Sequence, residues 1–378
     1  NKTCYVSPST NNSDASPSIL AAFQSCNNGG TIVLDGEYTI ASRLDLTFLS
    51  AVDVAISGTL TFSDDIAYWT GGGAFEITYQ NSSAFWKIGG SDVNIYGGGV
   101  GVLDGQGELW WNESLTNDTL LRPILFVADG LEGATISGLN YVNPPNWFNL
   151  IANSSDVTIS NLNLSAVWST GDETPNTDGW DIYRSDSVVV QDSKINNGDD
   201  CVSFKPNSTN IVNLICNGSH GISVGSLGQY VDEYDIAENI TVYNISMSNA
   251  SDGARIKVWP GVESSEGALL DGGGGSGYVR NVTYQILNNT DNTWAIEVNQ
   301  CYGQSNETLC ELYPSKMTIS EIYFEDFSGT TSSAEEPYVG TLVCSSSSQC
   351  WDIYASNINV SPPDGAAPEW VCSGFNTS

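Results

Sequence analysis

The segments VTISNLNL at 157–164, VVVQDSKI at 188–195 and ITVYNISM at 240–247 share one pattern: apolar and polar residues largely alternate. Alternation sends one row of side chains inward and the other to solvent, the mark of a half-buried strand. Related β-branched runs lie at 31–34, 52–56, 93–96, 134–139, 211–215 and 282–286, bounded by Asn, Gly, Ser or Asp, and no comparably long stretch shows a 3.6-residue period. From Ala134 onward the runs start about 23, 31, 23, 29 and 42 residues apart. One coil per ~20–30 residues is what a stacked solenoid requires, because each coil buries its apolar face only against its neighbours. The spacing therefore predicts a parallel β-helix, with residues 1–378 as a single domain. A sandwich or barrel of hairpins is the alternative, but it needs tight two-residue turns at shorter spacing, and no regular series of them is present.

Gly272 to Gly277 reads as a long loop leaving the helix, and the stretches around Trp110-Trp111-Asn112 and Ser332 to Pro337 read as further excursions. Capping of the open ends falls to the first ~30 and last ~25 residues.

Composition limits the partners. The chain carries 44 acidic and 11 basic side chains, a formal net charge of −33, with a single His. Global disorder is excluded, since 40% of residues are hydrophobic and 10% aromatic. Nucleic acid and anionic membranes are poor partners for a chain with its cations scattered. Nine cysteines and seventeen N-x-[ST] sequons, from Asn1 to Asn376, point to a secreted chain bearing N-linked glycans. No run of about 18 apolar residues occurs, and the chain begins NKTCYV without Met or a charged-then-apolar leader. The expectation is a mature, soluble extracellular monomer. Cys4/Cys26, Cys201/Cys216, Cys301/Cys310 and Cys344/Cys350 form the simplest disulfide set and leave Cys372 over, although spacing does not fix connectivity.

The chemistry concentrates between Asn176 and Lys257. Asn176-Thr177-Asp178-Gly179 is followed 21 residues after Asp178 by Asp199, within Gly198-Asp199-Asp200-Cys201. That interval is about one coil, so the three carboxylates should stack on neighbouring rungs. Ser219-His220-Gly221 lies one coil further, and Arg255-Ile256-Lys257 lies beyond it. Residues i and i+2 of a strand share a face, so Arg255 and Lys257 project together. Clustered carboxylates cannot all ionise cheaply: one should keep a proton and serve as an acid while the others act as bases. Those are the parts for glycosidic-bond hydrolysis, with the cations holding an anionic sugar. Taken singly, each has a bland reading: an Asp-Asp turn or calcium ligand, a structural His, a solvated Arg-x-Lys face. Their order and spacing together favour a site.

NTDG, GDDC, SHG and RIK in this order resemble the four motifs of the polygalacturonases, pectin-hydrolysing glycoside hydrolases. LDGQGELWW at 103–111 and NQCYG at 299–303 are also similar to family segments, so the resemblance runs from about residue 20 to 372. It implies a right-handed parallel β-helix and hydrolysis of α-1,4-galacturonide links with inversion, without cofactor or metal. By this resemblance Asp199 is the general acid, Asp178 and Asp200 activate water, and His220 tunes the site. Arg255 and Lys257 clamp the galacturonate carboxylate, while Asn176 and Tyr302 line the groove. Inversion should place acid and base oxygens ~6.5–9.5 Å apart. NGSHGISVGSLGQY and QCYG look more like the exo-acting branch, which releases galacturonate from the non-reducing end; Ser219 stands where many endo members have Gly.

Exo action requires loops that wall off one end of the groove, and the excursions at Tyr68 to Gly73, Trp110 to Asn117 and Pro260 to Gly277 are the candidates. Trp110, Trp111, Trp180 and Trp259 are candidates for stacking on sugar faces, with about half of them expected in packing instead. The alternatives are an endo-polygalacturonase, a xylogalacturonan hydrolase, a calcium-dependent pectate lyase, or a pectin-binding solenoid without catalysis. With a sequence pI near 4.1 the chain approaches neutrality in acid while Arg255 and Lys257 stay cationic, so activity is expected in acid and lost near neutrality.

Overall fold

The computed structural model describes residues 2–261 and 272–375. The sequons at Asn1 and Asn376, and most of the Pro260 to Gly277 excursion, lie outside those residues. Internal contacts divide the chain into two compact units, one of Asn1–Asp181 with Ser185–Asp199, the other of Ile182–Arg184 with Asp200–Ser378.

In the first unit the long strands Leu44–Ile56, Trp86–Asp104, Phe126–Val142 and Asp186–Asn196 run parallel. Their register places Ile32, Val54, Ile95, Ile136, Ile159 and Val190 in one column. Every member of that column is at most 1% exposed. Each such burial is worth ~1.5–3 kcal/mol, which is why coils of dissimilar sequence still stack. The second unit repeats the arrangement: Val224, Ile256 and Val298 form one fully buried column, and Ile240, Val282 and Ile322 another. The chain thus folds as an all-β, right-handed parallel β-helix, as its periodicity and family resemblance led one to expect.

The three alternating segments are bent at their centres. Asn161, Asp192 and Asn244 have φ of 56°, 51° and 58°, the left-handed region that short polar side chains tolerate best. At each corner the alternation slips by one residue, so Ile159 and Leu162 both face inward.

Four disulfides join the four expected cysteine pairs, and Cys372 is unpaired and exposed. The periodicity reading missed the helices. Ser16–Cys26 buries Ile19, Phe23 and Cys26 along one face, and Gly107–Ser114 replaces the expected loop around Trp110. Trp69 anchors the Tyr68 to Gly73 turn through a 2.8 Å bond from Nε1 to Ser63 O, and Trp111 Nε1 donates to Pro144 O at 3.1 Å. Trp110, Trp111, Trp180 and Trp259 are all at most 2% exposed, so the four are packing residues without a face open to a sugar. No helix among the described residues is long and apolar enough to cross a membrane.

Candidate active site

In the first unit the site grows from two turns locked together. Thr177 Oγ1 donates to Thr174 O at 3.0 Å and accepts from Gly198 N at 2.9 Å. Asn197 Nδ2 donates to Thr177 O at 2.9 Å and to Asp199 O at 2.8 Å. Gly198 is required at this junction, because a Cβ there would lie 2.3 Å from Thr174 O. The lock places Asp178 beside Asp199, with carboxylate oxygens within 4.8 Å of each other. That separation is shorter than the ~6.5–9.5 Å expected of inverting carboxyl groups. The expected separation is therefore not met between the nearest oxygens. Asp178 is buried and Asp199 half-buried.

Asn176 takes a left-handed φ of 55° and its Nδ2 donates to Asp199 Oδ2 at 3.3 Å. Arg122, outside every motif, donates from Nη2 to Asn176 Oδ1 at 2.6 Å. Burial pulls the Arg122 guanidinium below its ordinary pKa, against the opposing pull of Asp178 and Asp199.

In the second unit Asp200 is 1% exposed and both its oxygens are held. Ser223 Oγ donates to Oδ1 and Lys257 Nζ donates to Oδ2, each at 2.6 Å. Register explains how Ser223 and Arg255 come to neighbour one another: Ser203, Ser223, Arg255 and Glu297 occupy one row across the strands Val202–Phe204, Ile222–Leu227, Asp252–Val258 and Trp294–Asn299. Arg255 Nε lies 2.7 Å from Glu297 Oε2 and 3.6 Å from Asp252 Oδ2. Burial pushes Asp252 up to about 7, helped by neighbouring Glu297 and opposed by Arg255. For Arg255, burial works downward but is outweighed by Asp252, Glu297, Asp200 and Tyr302, which raise it. Tyr302 presents its ring to both cations, 5.8 Å from Arg255 Cζ and 5.6 Å from Lys257 Nζ. His220 is half-buried in the turn before Ile222–Leu227, a turn tied down by Gly221 N donating to Ser219 Oγ at 2.9 Å. Gly221 O in turn accepts from Cys201 N at 2.9 Å, one rung from Asp200.

Each unit thus gathers its share of the expected residues: Asn176, Asp178 and Asp199 in the first, Asp200, His220, Arg255, Lys257 and Tyr302 in the second. Lys257 Nζ gives one of its three N–H donors to Asp200 Oδ2. Ser223, Asp252 and Glu297 were missed. Strand periodicity carries the signal for Asp252 and Glu297 only once the register across coils is known. Both oxygens of Asp200 accept a bond, from Ser223 and from Lys257, and Asp199 Oδ2 accepts one from Asn176.

The family model described as glycosyl hydrolases family 28 matches residues 30–378. The chain belongs to this family. Exopolygalacturonase A of Aspergillus niger is 53% identical over 379 residues, covering 99% of this chain and 86% of the relative. Exopolygalacturonase X-1 of Emericella nidulans is 52% identical over 381 residues, covering 100% and 87%. Among solved structures of this glycosyl hydrolase fold, endo-xylogalacturonan hydrolase from Aspergillus tubingensis superposes with a TM-score of 0.87 at 33% identity, covering 99% of this chain and 96% of that one. A polygalacturonase from Erwinia carotovora shares the fold, with a TM-score of 0.74 at 19% identity over 99% of this chain and 96% of that one.

Proposed function

We propose that this chain is an exo-acting polygalacturonase that hydrolyses α-1,4-galacturonide links of pectin, releasing galacturonate from the non-reducing end. The observation that carries the reading is near full-length identity of 53% with a relative named exopolygalacturonase A, in a chain that keeps NTDG, GDDC, SHG and RIK.

In this reading Asp199 gives its proton to the glycosidic oxygen as the C1–O bond breaks. Asp178 and Asp200 take a proton from water, whose oxygen bonds to C1. Arg255, held by Glu297 and Asp252, meets the sugar carboxylate, and its two acidic neighbours fix its direction before substrate arrives. Lys257 acts through Asp200, Tyr302 covers both cations, Asn176 lines the groove, and His220 orients the turn beside Asp200. Residues 1–378 serve as one domain. Four disulfides and the density of sequons support an extracellular, N-glycosylated chain, which we take to act as a monomer.

Asp199→Asn tests the acid assignment. It should leave the fold intact and lower release of reducing sugar by ~10²–10⁴-fold, the worth of a positioned general acid. Unchanged release would sink it. The likeness to an endo-xylogalacturonan hydrolase favours a second reading, activity on xylose-substituted chains, but at 33% identity it is the weaker of the two.

A further inference from the structure

We infer that Arg122 is a positioning residue for the acid, acting through Asn176. The inference rests on the assignment of Asp199 as the proton donor. Arg122 is half-buried and immediately precedes the short strand Pro123–Ile124. Its Nη1 donates to Pro145 O and to Pro175 O, at 2.7 Å each, and its Nη2 donates to Asn176 Oδ1 at 2.6 Å. Two bonds from one nitrogen to rigid proline carbonyls hold the guanidinium plane in place.

The consequence is carried by donor and acceptor identity. Arginine has five N–H donors and no acceptor, so it can face only the oxygen of the Asn176 amide. The amide nitrogen must then point the other way, where Nδ2 reaches Asp199 Oδ2 at 3.3 Å. An oxygen that accepts from an amide is disfavoured as the seat of a proton. The chain Arg122, Asn176, Asp199 therefore directs the acid proton to Oδ1. Without Arg122 the Asn176 amide is free to turn over, offering its own oxygen to Asp199 and drawing the proton to Oδ2. The positive charge of Arg122 also acts on Asp178 and Asp199.

The role separates from a purely structural one by leaving group. An aryl galacturonide with a 4-nitrophenolate leaving group needs little protonation, whereas an oligogalacturonide needs it in full. Kinetics of wild type, Asp199→Asn, Arg122→Gln and Arg122→Lys on trigalacturonate and on 4-nitrophenyl galacturonide, with thermal midpoints for each, form the test. Asp199→Asn should be spared on the aryl substrate relative to trigalacturonate. If it is not, the acid assignment falls and this inference with it. With that sparing in hand, Arg122→Gln and Arg122→Lys should each lower kcat on trigalacturonate at least tenfold. KM should stay within about threefold, as should the rate on the aryl substrate. Lysine keeps the charge but not the fork, so its failure to rescue assigns the effect to orientation. In the Asn176→Ala background, Arg122→Gln should add nothing further. A folded Arg122 variant with wild-type kcat on trigalacturonate, an equal loss on both substrates, or additive losses with Asn176→Ala would overturn the inference.

Discussion

Lys257 Nζ lies 2.6 Å from Asp200 Oδ2, and the two side chains are only 7% and 1% exposed. An ion pair this deep is evidence of arrangement more than of net stability, because desolvation consumes much of the attraction. Breaking one side is different. Lys257→Met should destabilise the protein by ~3–5 kcal/mol, since it strands a buried carboxylate. Adding Asp200→Asn to that variant should recover part of the loss. Urea unfolding of the single and double variants checks this, and a neutral effect of Lys257→Met would show that Asp200 does not depend on the pair.

Asp252 gives the protein a pH-dependent weakness. Its ordinary value of 3.8 is pushed up to about 7 by burial, reinforced by Glu297. The folded state therefore binds the Asp252 proton more tightly than the unfolded state. The associated stability is fully present below about pH 4 and drains away as pH rises toward 7, at up to ~1.4 kcal/mol per pH unit. Asp252→Asn should flatten this part of the curve. Urea midpoints of both proteins between pH 4 and 7 provide the check. Parallel curves would mean that Asp252 is ionised throughout.

The close approach of Asp178 and Asp199 makes the stereochemical course worth measuring. Oxygens within 4.8 Å resemble the spacing of retaining enzymes, whereas the family resemblance implies inversion. With water activated by Asp178 and Asp200, the first product from an α-link is the β-anomer of galacturonate. Proton NMR of early product should show that anomer before mutarotation. An initial α-anomer would mean a covalent intermediate and a different division of labour among the carboxylates.

Much of this was legible in the sequence because a solenoid converts sequence period into spatial stacking. The interval of 21 residues between Asp178 and Asp199 is about one coil, and the structure brings their carboxylate oxygens within 4.8 Å. The i, i+2 rule likewise put Arg255 and Lys257 on one face, but a face is not a partner. Asp200 was not foreseeable as the ligand of Lys257, nor Glu297 as that of Arg255, because strand register across coils follows from loop lengths and corners that local pattern does not encode. The four tryptophans illustrate the same limit: aromatic residues near a site suit sugar stacking and packing equally, and only their burial decides. The helix Ser16–Cys26 escaped although Ile19, Phe23 and Cys26 recur at i, i+4 and i+7, because three apolar positions in 11 residues are a weak signal beside a long series of repeated strands.

The central claim is hydrolysis from the non-reducing end by this carboxylate cluster, and hexagalacturonate labelled at its reducing end tests it most directly. Early in the reaction the label should move stepwise to the penta-, tetra- and trisaccharide, while the free galacturonate carries none. Labelled short fragments appearing at once, ahead of the pentasaccharide, or label in the first monomer released, would contradict it.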